Sequence, residues 1–140
     1  MRRRFTDPGF LVSLSFHPHP GHVLICDFRG FVEPEIVKIR PVIVVSSKLP
    51  YRAGLATIVP ISLTQPRHDV PYAVRLSKNY HPTEDDSLPC WAKCDLLANV
   101  ALSRLDRFKV DRRKYFAPKA TDDDLKAVRQ GVLAALGWQA

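Results

Sequence analysis

Short apolar runs recur between residues 22 and 76 of this chain and predict β-strands. They cover residues 22–28, 40–47, 55–62 and 72–76, and turn-forming or charged segments separate them. Within the second run, positions 42–45 are all valine or isoleucine, without the polar alternation of a half-exposed strand. We therefore expect residues 40–47 to form a central strand in the core of a sheet.

Two of these runs contain a proline, which lacks the N–H group that a strand donates to its neighbour. Pro41 fits at the first position of its strand, where no donor is needed. Pro60 falls inside residues 55–62 and predicts either an edge strand or a bulge.

Residues 121–137 carry the periodicity of an amphipathic helix. Thr121 can cap the helix, and the aspartates at positions 122–124 suit its positive N-terminal end. Five apolar residues fall on one helical face: Leu125, Val128, Val132, Leu133 and Leu136. Gly137 fits the C-terminal cap, whereas Gly131 should weaken the helix slightly.

The remaining segments are less regular. Residues 29–39, 48–54 and 77–89 are typical of loops and turns, and residues 90–105 suit either two short strands or a strand and a helix. We expect an N-terminal arm at residues 1–19 and a single domain at residues 20–140. The expected fold class is mainly β with α, a small β-barrel with a C-terminal amphipathic helix.

Composition narrows the class of protein. A chain of 140 residues that is 46% apolar suits one globular domain. Its three cysteines, an odd number, favour a reducing cytoplasm over a disulfide framework. No stretch approaches about 18 consecutive apolar residues, and Asp7, Pro8 and Gly9 interrupt the start, so neither a membrane span nor a signal peptide is expected. The net charge of +7 favours a polyanionic partner, with nucleic acid first.

Arg40 stands directly before the apolar run and raises the question of what it faces. Burying an unpaired charge is costly, so Arg40 is either solvated at the rim of the sheet or directed at an anion. Solvated flanking charge is the commoner reason for cations such as Arg40 and Lys38 at a strand end.

Three other groups carry candidate chemistry. Period-two alternation places Lys93 and Asp95 on one strand face, where they could do acid–base work on a phosphodiester or form an ordinary surface ion pair. Zinc could bind Cys90 and Cys94 with the histidines at positions 68 and 81, although the spacing is poor. The histidines at positions 17, 19 and 22 could bind metal, supply a base or be solvated.

Residues 104–115 hold six cations, with Phe108 and Tyr115 between them. Such a segment suits contact with a phosphate backbone together with base stacking. A solvated charged face is the alternative.

The order of several motifs resembles the MazF/PemK (Kid) toxins of type II toxin–antitoxin systems. The motifs are PGHVLICDF at 20–28, RPVIVVS at 40–46, IVPIS at 58–62, KCD at 93–95 and NVALSRL at 99–105. An amphipathic helix follows them, so the resemblance spans residues 20–136. The Arg-Pro, aliphatic and Ser run, followed by Val-Pro-Ile-Ser, is its most specific part.

The resemblance implies an SH3-like barrel, a homodimer and a cytoplasmic, metal-independent ribonuclease without cofactors. The expected substrate is single-stranded RNA. Its own 2′-hydroxyl would attack the phosphate and leave a 2′,3′-cyclic phosphate and a 5′-hydroxyl. The expected partner is an antitoxin. The implied catalytic residues are Arg40, which would stabilise the transition state, Ser62, which would hydrogen-bond the phosphate, Asp95 as base and Lys93 at the leaving oxygen. Arg29, Glu35, Lys38 and Thr64 would contact the RNA.

Apart from the mild change to Ser62, where most members carry threonine, two positions depart from the family pattern. Lys93 stands where relatives carry arginine, and Pro34 stands where Kid-type members place a histidine. Lysine is a point charge and not a bidentate donor, so the first change is not conservative. The alternative function is therefore a non-catalytic relative that binds RNA or poisons a protein target such as gyrase.

Overall fold

The computed structural model describes Leu14 and residues 16–138. Within this part of the chain, nine strands and one α-helix form. They are β1 (Val23–Asp27), β2 (Ile39–Val44), β3 (Leu55–Ser62), β4 (Ala73–Arg75), β5 (Trp91–Lys93), β6 (Ala98–Ala101), β7 (Leu105–Asp106), β8 (Phe108–Asp111), β9 (Lys114–Phe116) and α1 (Asp122–Ala135). Two short 3₁₀ turns, Cys94–Leu96 and Leu102–Arg104, flank β6.

Seven strands form one antiparallel sheet in the order β4-β5-β3-β2-β1-β7, and β6 pairs with β3 beside β5. Strands β8 and β9 form a separate hairpin. The mainly β class with one C-terminal helix is confirmed, but the sheet is not closed into a barrel.

Both faces of the sheet are buried, which explains the continuous apolar run in β2. Val23, Ile43 and Val59 contribute to a core on one face, where Val128 of α1 is fully buried. Leu24, Val42 and Ile58 lie on the other face, in a second core. Because neighbouring residues of a strand point to opposite faces, burial on both faces requires apolar residues at consecutive positions.

The predicted strands are found, and the ambiguous segment at 90–105 contains two short strands, β5 and β6. The prolines differ from expectation. Pro41 is the third residue of β2, and it is tolerated because the ladder with β3 begins only at Val42. Pro60 lies in a central strand, not at an edge, at the point where the neighbour of β3 changes from β6 to β5.

The terminal helix begins as predicted. Thr121 is the N-cap, and its hydroxyl accepts the Asp124 N–H at 3.1 Å. Gly137 has a φ of +74°, as its expected place after the helix requires. Gly131 has a role that periodicity does not reveal, because a Cβ there would lie 2.7 Å from both Cys94 Sγ and Val74 Cγ2.

Most of the expected arm, residues 1–13 and Ser15, lies outside the described residues. The described end of the arm packs on the domain: Pro18 is fully buried, and the His17 ring lies 3.2 Å from the Leu55 carbonyl oxygen. Over the described residues, no helix is long and apolar enough to cross a membrane.

Candidate functional site

A cleft of about 410 Å³ opens where β2 begins and β3 ends. The two strands are antiparallel, so the first residues of β2 and the last of β3 lie at the same end of the sheet. The cleft is lined by Ile25, Ile39, Arg40, Pro41, Ile61, Ser62, Leu63, Thr64, Asn79, His81 and Glu84. Three residues that the resemblance places at the RNA site, Arg40, Ser62 and Thr64, therefore line one cleft.

Strand register places Arg40, Ser62 and Lys93 on one face of the sheet. Val42 pairs with Pro60, and Ser62 pairs with Trp91. Paired residues share a face, and so do residues two apart on one strand. Arg40 therefore shares the face of Val42 and Pro60, as does Ser62, and Lys93 shares the face of Trp91.

The Arg40 guanidinium is exposed and available to an anion. Its Nη1 donates to the carbonyl oxygen of Ile39 at 3.0 Å, which holds the group at the strand end. Among the described residues, no carboxylate lies within ion-pair distance of it. A guanidinium has five N–H donors in a fixed fork, so most of its hydrogen-bonding capacity is free for a phosphate.

Ser62 is also oriented by its neighbour. Its hydroxyl oxygen accepts the Thr64 N–H at 3.0 Å. That bond uses a lone pair and leaves the O–H proton to donate. A hydroxyl fixed in this way can donate to a phosphate oxygen held by Arg40.

The loop at 77–89 contributes three side chains to the same cleft, and sequence reasoning did not place any of them there. Asn79 is buried, and its Nδ2 donates to Glu84 Oε1 at 3.0 Å. His81 Nε2 lies 3.9 Å from Glu84 Oε2. The loop is thus internally bonded, and its imidazole and carboxylate line the same cleft as Arg40 and Ser62.

Asp124 of α1 anchors that loop. Its carboxylate accepts from Tyr80 Oη and Ser77 Oγ, each at 2.6 Å, and from the Ser77 N–H. Asp124 is almost fully buried, and these donors compensate its desolvation. The position of His81 in the cleft therefore depends on the first turn of α1.

The expectation that Lys93 and Asp95 share a strand face is wrong. Strand β5 ends at Lys93, and Cys94 begins a 3₁₀ turn, so period-two alternation does not extend to Asp95. Asp95 instead lines a second, smaller cleft of about 150 Å³ together with Glu35 and Pro60. Both clefts border β3, since Pro60 lines the smaller one and Ser62 lines the larger one.

The predicted RNA-contacting residues lie in different surroundings. Arg29 forms a bidentate contact with Asp27, with Nη2 2.6 Å from Oδ2. Burial would raise the pKa of Asp27, but the hydrogen bonds and charge of Arg29 outweigh it and lower that pKa. Glu35 accepts the Val32 N–H at 2.6 Å, and Lys38 is exposed just before β2.

The basic segment at 104–115 divides into two parts. Arg104 turns inward, because its Nη1 donates to the carbonyl oxygens of Asp27 and Arg29 and its guanidinium lies over the Phe31 ring. The β8–β9 hairpin keeps an exposed cationic surface formed by Lys109, Arg112, Arg113 and Lys114, beside the exposed ring of Tyr115.

The described residues offer no metal site. They contain no group of three or more His, Cys, Asp or Glu side chains that could hold an ion. Cys90 and Cys94 are buried, and burial raises their pKa values to about 11 and about 12. The Cys94 thiol donates to the Val128 carbonyl oxygen and belongs to the packing of α1.

Comparison with known proteins gives one family and one fold. The family model described as PemK-like, MazF-like toxin of type II toxin–antitoxin system matches residues 19–136. No curated protein is similar enough to count as a match.

Several solved structures have a similar fold. MazF from Deinococcus radiodurans superposes with a TM-score of 0.64 at 22% identity, covering 88% of this chain and 99% of that one. The MazE–MazF complex from the same organism superposes with a TM-score of 0.60 at 20% identity, covering 89% of this chain and 100% of that one. An endoribonuclease from a mycobacterial species, in complex with its cognate antitoxin, superposes with a TM-score of 0.59 at 18% identity. The match covers 89% of this chain and 99% of that one.

Proposed function

This chain belongs to the PemK-like, MazF-like toxins of type II toxin–antitoxin systems, and on that premise we propose that it is a metal-independent endoribonuclease that cuts single-stranded RNA. Attack by the 2′-hydroxyl would leave a 2′,3′-cyclic phosphate and a 5′-hydroxyl. The observation that carries this proposal is the meeting of Arg40 and Ser62 at one cleft.

The chemistry of RNA cleavage fits those two side chains. When the 2′-oxygen attacks, extra negative charge develops on the phosphate oxygens. A guanidinium fixed by a strand end can meet that charge with paired hydrogen bonds, and the Ser62 hydroxyl can add a third. Both groups lie on a rigid sheet, so little reorganisation is needed during the reaction.

Lys93 and Asp95 remain proposals with unequal support. Lys93 lies on the same face as Arg40 and Ser62, so a role in charge stabilisation is compatible with the sheet. Asp95 lines the second cleft, and its role as the base for the 2′-hydroxyl requires RNA to extend across Pro60. Glu35 lines that second cleft as well, so it would face the RNA that enters there.

The proposed RNA surface extends from the cleft to other exposed cations. Lys38 precedes β2, and Thr64 lines the cleft itself. The β8–β9 hairpin adds cations next to exposed Tyr115, a combination that suits a flexible single strand. Two of the similar structures, from Deinococcus radiodurans and a mycobacterial species, contain an antitoxin. We propose an antitoxin and a homodimer for this chain too.

The test is cleavage of a labelled pool of single-stranded RNA in EDTA. Wild type should cut and leave cyclic-phosphate ends. Arg40→Ala should cut about 10²–10³-fold more slowly, the usual cost of losing one transition-state donor. Arg52→Ala is the matched control, because Arg52 is an exposed cation in the loop between β2 and β3 and does not line the cleft.

Two results would count against this function. One is a folded wild-type protein that cuts no RNA in the pool, which would favour a binding or partner-poisoning relative. The other is equal cleavage of an RNA that carries a 2′-deoxy sugar at the scissile position, because that sugar has no nucleophile.

A further inference from the structure

His81 and Glu84 form a pair of titratable side chains in the cleft that holds Arg40 and Ser62. Both come from the 77–89 loop, which the sequence motifs of the family do not include. The reaction needs a group that accepts the 2′-hydroxyl proton and a group that donates a proton to the departing 5′-oxygen. Arg40 and Ser62 stabilise charge but do not fill those two roles. Lys93 and Asp95, to which the resemblance assigns them, do not line this cleft.

The contacts of His81 leave one nitrogen for proton transfer. Nδ1 lies 3.3 Å from the Thr83 backbone nitrogen and 3.1 Å from the Thr83 hydroxyl oxygen, and when the ring is an imidazolium Nδ1 donates to that hydroxyl. The ring also packs edge-on against Phe108, with centroids 4.7 Å apart. Nε2 is therefore the free nitrogen, and it faces Glu84 Oε2 at 3.9 Å.

Glu84 is fixed as firmly. Its Oε1 accepts from Asn79 Nδ2, and its N–H donates to the His81 carbonyl oxygen at 3.1 Å. Both side chains are only partly buried, with exposed fractions of 23% for His81 and 36% for Glu84, so substrate can reach them. For the reaction, the proton donor of this pair must start as an imidazolium and the proton acceptor as a carboxylate.

We propose that His81 and Glu84 are the acid–base pair of RNA cleavage, an assignment that rests on the proposed ribonuclease function. The 2′-oxygen forms a bond to phosphorus while its proton passes to the Glu84 carboxylate. The bond from phosphorus to the 5′-oxygen breaks, and that oxygen takes the proton from His81 Nε2. Attacking and leaving oxygens lie on opposite sides of the phosphorus, so the two side chains act one on each side.

The pair also restores itself. After cleavage, Glu84 is protonated and His81 is neutral. Transfer of that proton between the facing Oε2 and Nε2 atoms regenerates the starting state without net gain or loss of a proton.

The experiment compares two RNA substrates that share one scissile position, identified first with wild-type protein. One has the natural 5′-oxygen, and the other has a bridging 5′-sulfur, which leaves as a thiolate without needing a proton. His81→Phe retains a ring for packing against Phe108, and Glu84→Gln retains an acceptor for Asn79. Thermal unfolding of each variant checks folding, and His68→Ala, an exposed histidine outside the cleft, is the matched control.

The expected pattern separates the two roles. His81→Phe should cut the oxygen substrate at least about 10²-fold more slowly, yet cut the sulfur substrate nearly as fast as wild type. Glu84→Gln should be slow on both substrates, because both need the 2′-hydroxyl proton removed. His68→Ala should match wild type on both.

Other patterns would overturn the assignment. If wild type cuts RNA and His81→Phe is unaffected, or is equally slow on both substrates, His81 is not the acid. If Lys93→Met, and not His81→Phe, cuts the oxygen substrate slowly and the sulfur substrate nearly as fast as wild type, Lys93 is the acid. If Glu84→Gln cuts like wild type, Glu84 is not the base. Each of these outcomes is compatible with the proposed ribonuclease function. A wild-type protein that cuts neither substrate would contradict both the ribonuclease function and the acid–base pair.

Discussion

Replacing Gly131 by alanine should destabilise this protein, although the same change stabilises most helices. Gly131 lies in the middle of α1, where glycine costs about 0.5–1 kcal/mol relative to alanine through backbone entropy. Propensity alone therefore predicts that Gly131→Ala raises the free energy of unfolding by about that amount.

Packing predicts the opposite and should win. The new Cβ would lie 2.7 Å from both Cys94 Sγ and Val74 Cγ2. Cys94 is buried and bonded to the Val128 carbonyl oxygen, and Val74 is β-branched and therefore stiff at χ1. Overpacking of this kind costs about 1–3 kcal/mol, so after subtracting the propensity gain we expect a net loss of about 1 kcal/mol, at most about 2.5.

Urea unfolding at one fixed protein concentration measures this difference, because a dimer would make stability concentration-dependent. Gln130 is exposed on the same helix, so Gln130→Ala compared with Gln130→Gly gives the propensity term without a packing term. In a Val74→Ala background the cost of Gly131→Ala should shrink, since one of the two clashing atoms is gone. A Gly131→Ala protein that is more stable than wild type by the amount measured at position 130 would refute the packing argument.

Two further predictions follow from pKa shifts. Burial raises the pKa of Cys26 and Cys94 to about 12 and that of Cys90 to about 11. Native protein at pH 8 should therefore react slowly with iodoacetamide, whereas urea-unfolded protein should react fully. Rapid labelling of the native protein, measured by intact mass, would contradict this prediction. The pKa of Asp27 is lowered in the fold, so its carboxylate contributes stability above the unfolded value of about 3.9 and loses that contribution as pH falls through the folded value. The stability advantage of wild type over Asp27→Asn in urea should accordingly shrink below about pH 4, and an advantage that stays constant to pH 2 would show that the Arg29 contact does not act through charge.

Local pattern was enough to predict most of the fold. The continuous apolar run located β2, and the helical periodicity with Thr121 and Gly137 located both ends of α1. The open sheet and the β8–β9 hairpin were not predicted, because both depend on which distant strands pair. Pro60 misled for the same reason: a proline excludes a ladder bond on one side only, and the change of neighbour from β6 to β5 supplies the gap it needs.

The candidate site was predicted in part, and the missing part has a physical cause. Motif order brought Arg40 and Ser62 to attention, and antiparallel pairing does place them at one end of the sheet. The prediction that Lys93 and Asp95 share a strand face was wrong because a 3₁₀ turn begins at Cys94. Three residues are too few for their periodicity to reveal such a turn. His81 was considered only as a zinc ligand and Glu84 was not singled out, because a polar loop gives no indication of the side of the sheet on which it will lie.

Asp124 anchors the 77–89 loop, a role that its position at the start of α1 does not reveal. The three aspartates at the start of α1 fit the positive end of the helix, and that role accounts for Asp122 and Asp123, which are exposed. Asp124 is buried, and its carboxylate accepts from Ser77 and Tyr80 across the interface between loop and helix. Desolvating a carboxylate without such donors would be costly, so the helix can bury Asp124 only if the loop is in place, and the loop is held only if the helix is formed. The C-terminal helix does not line the cleft that holds Arg40 and Ser62, yet it thereby determines where the imidazole of the proposed acid–base pair lies.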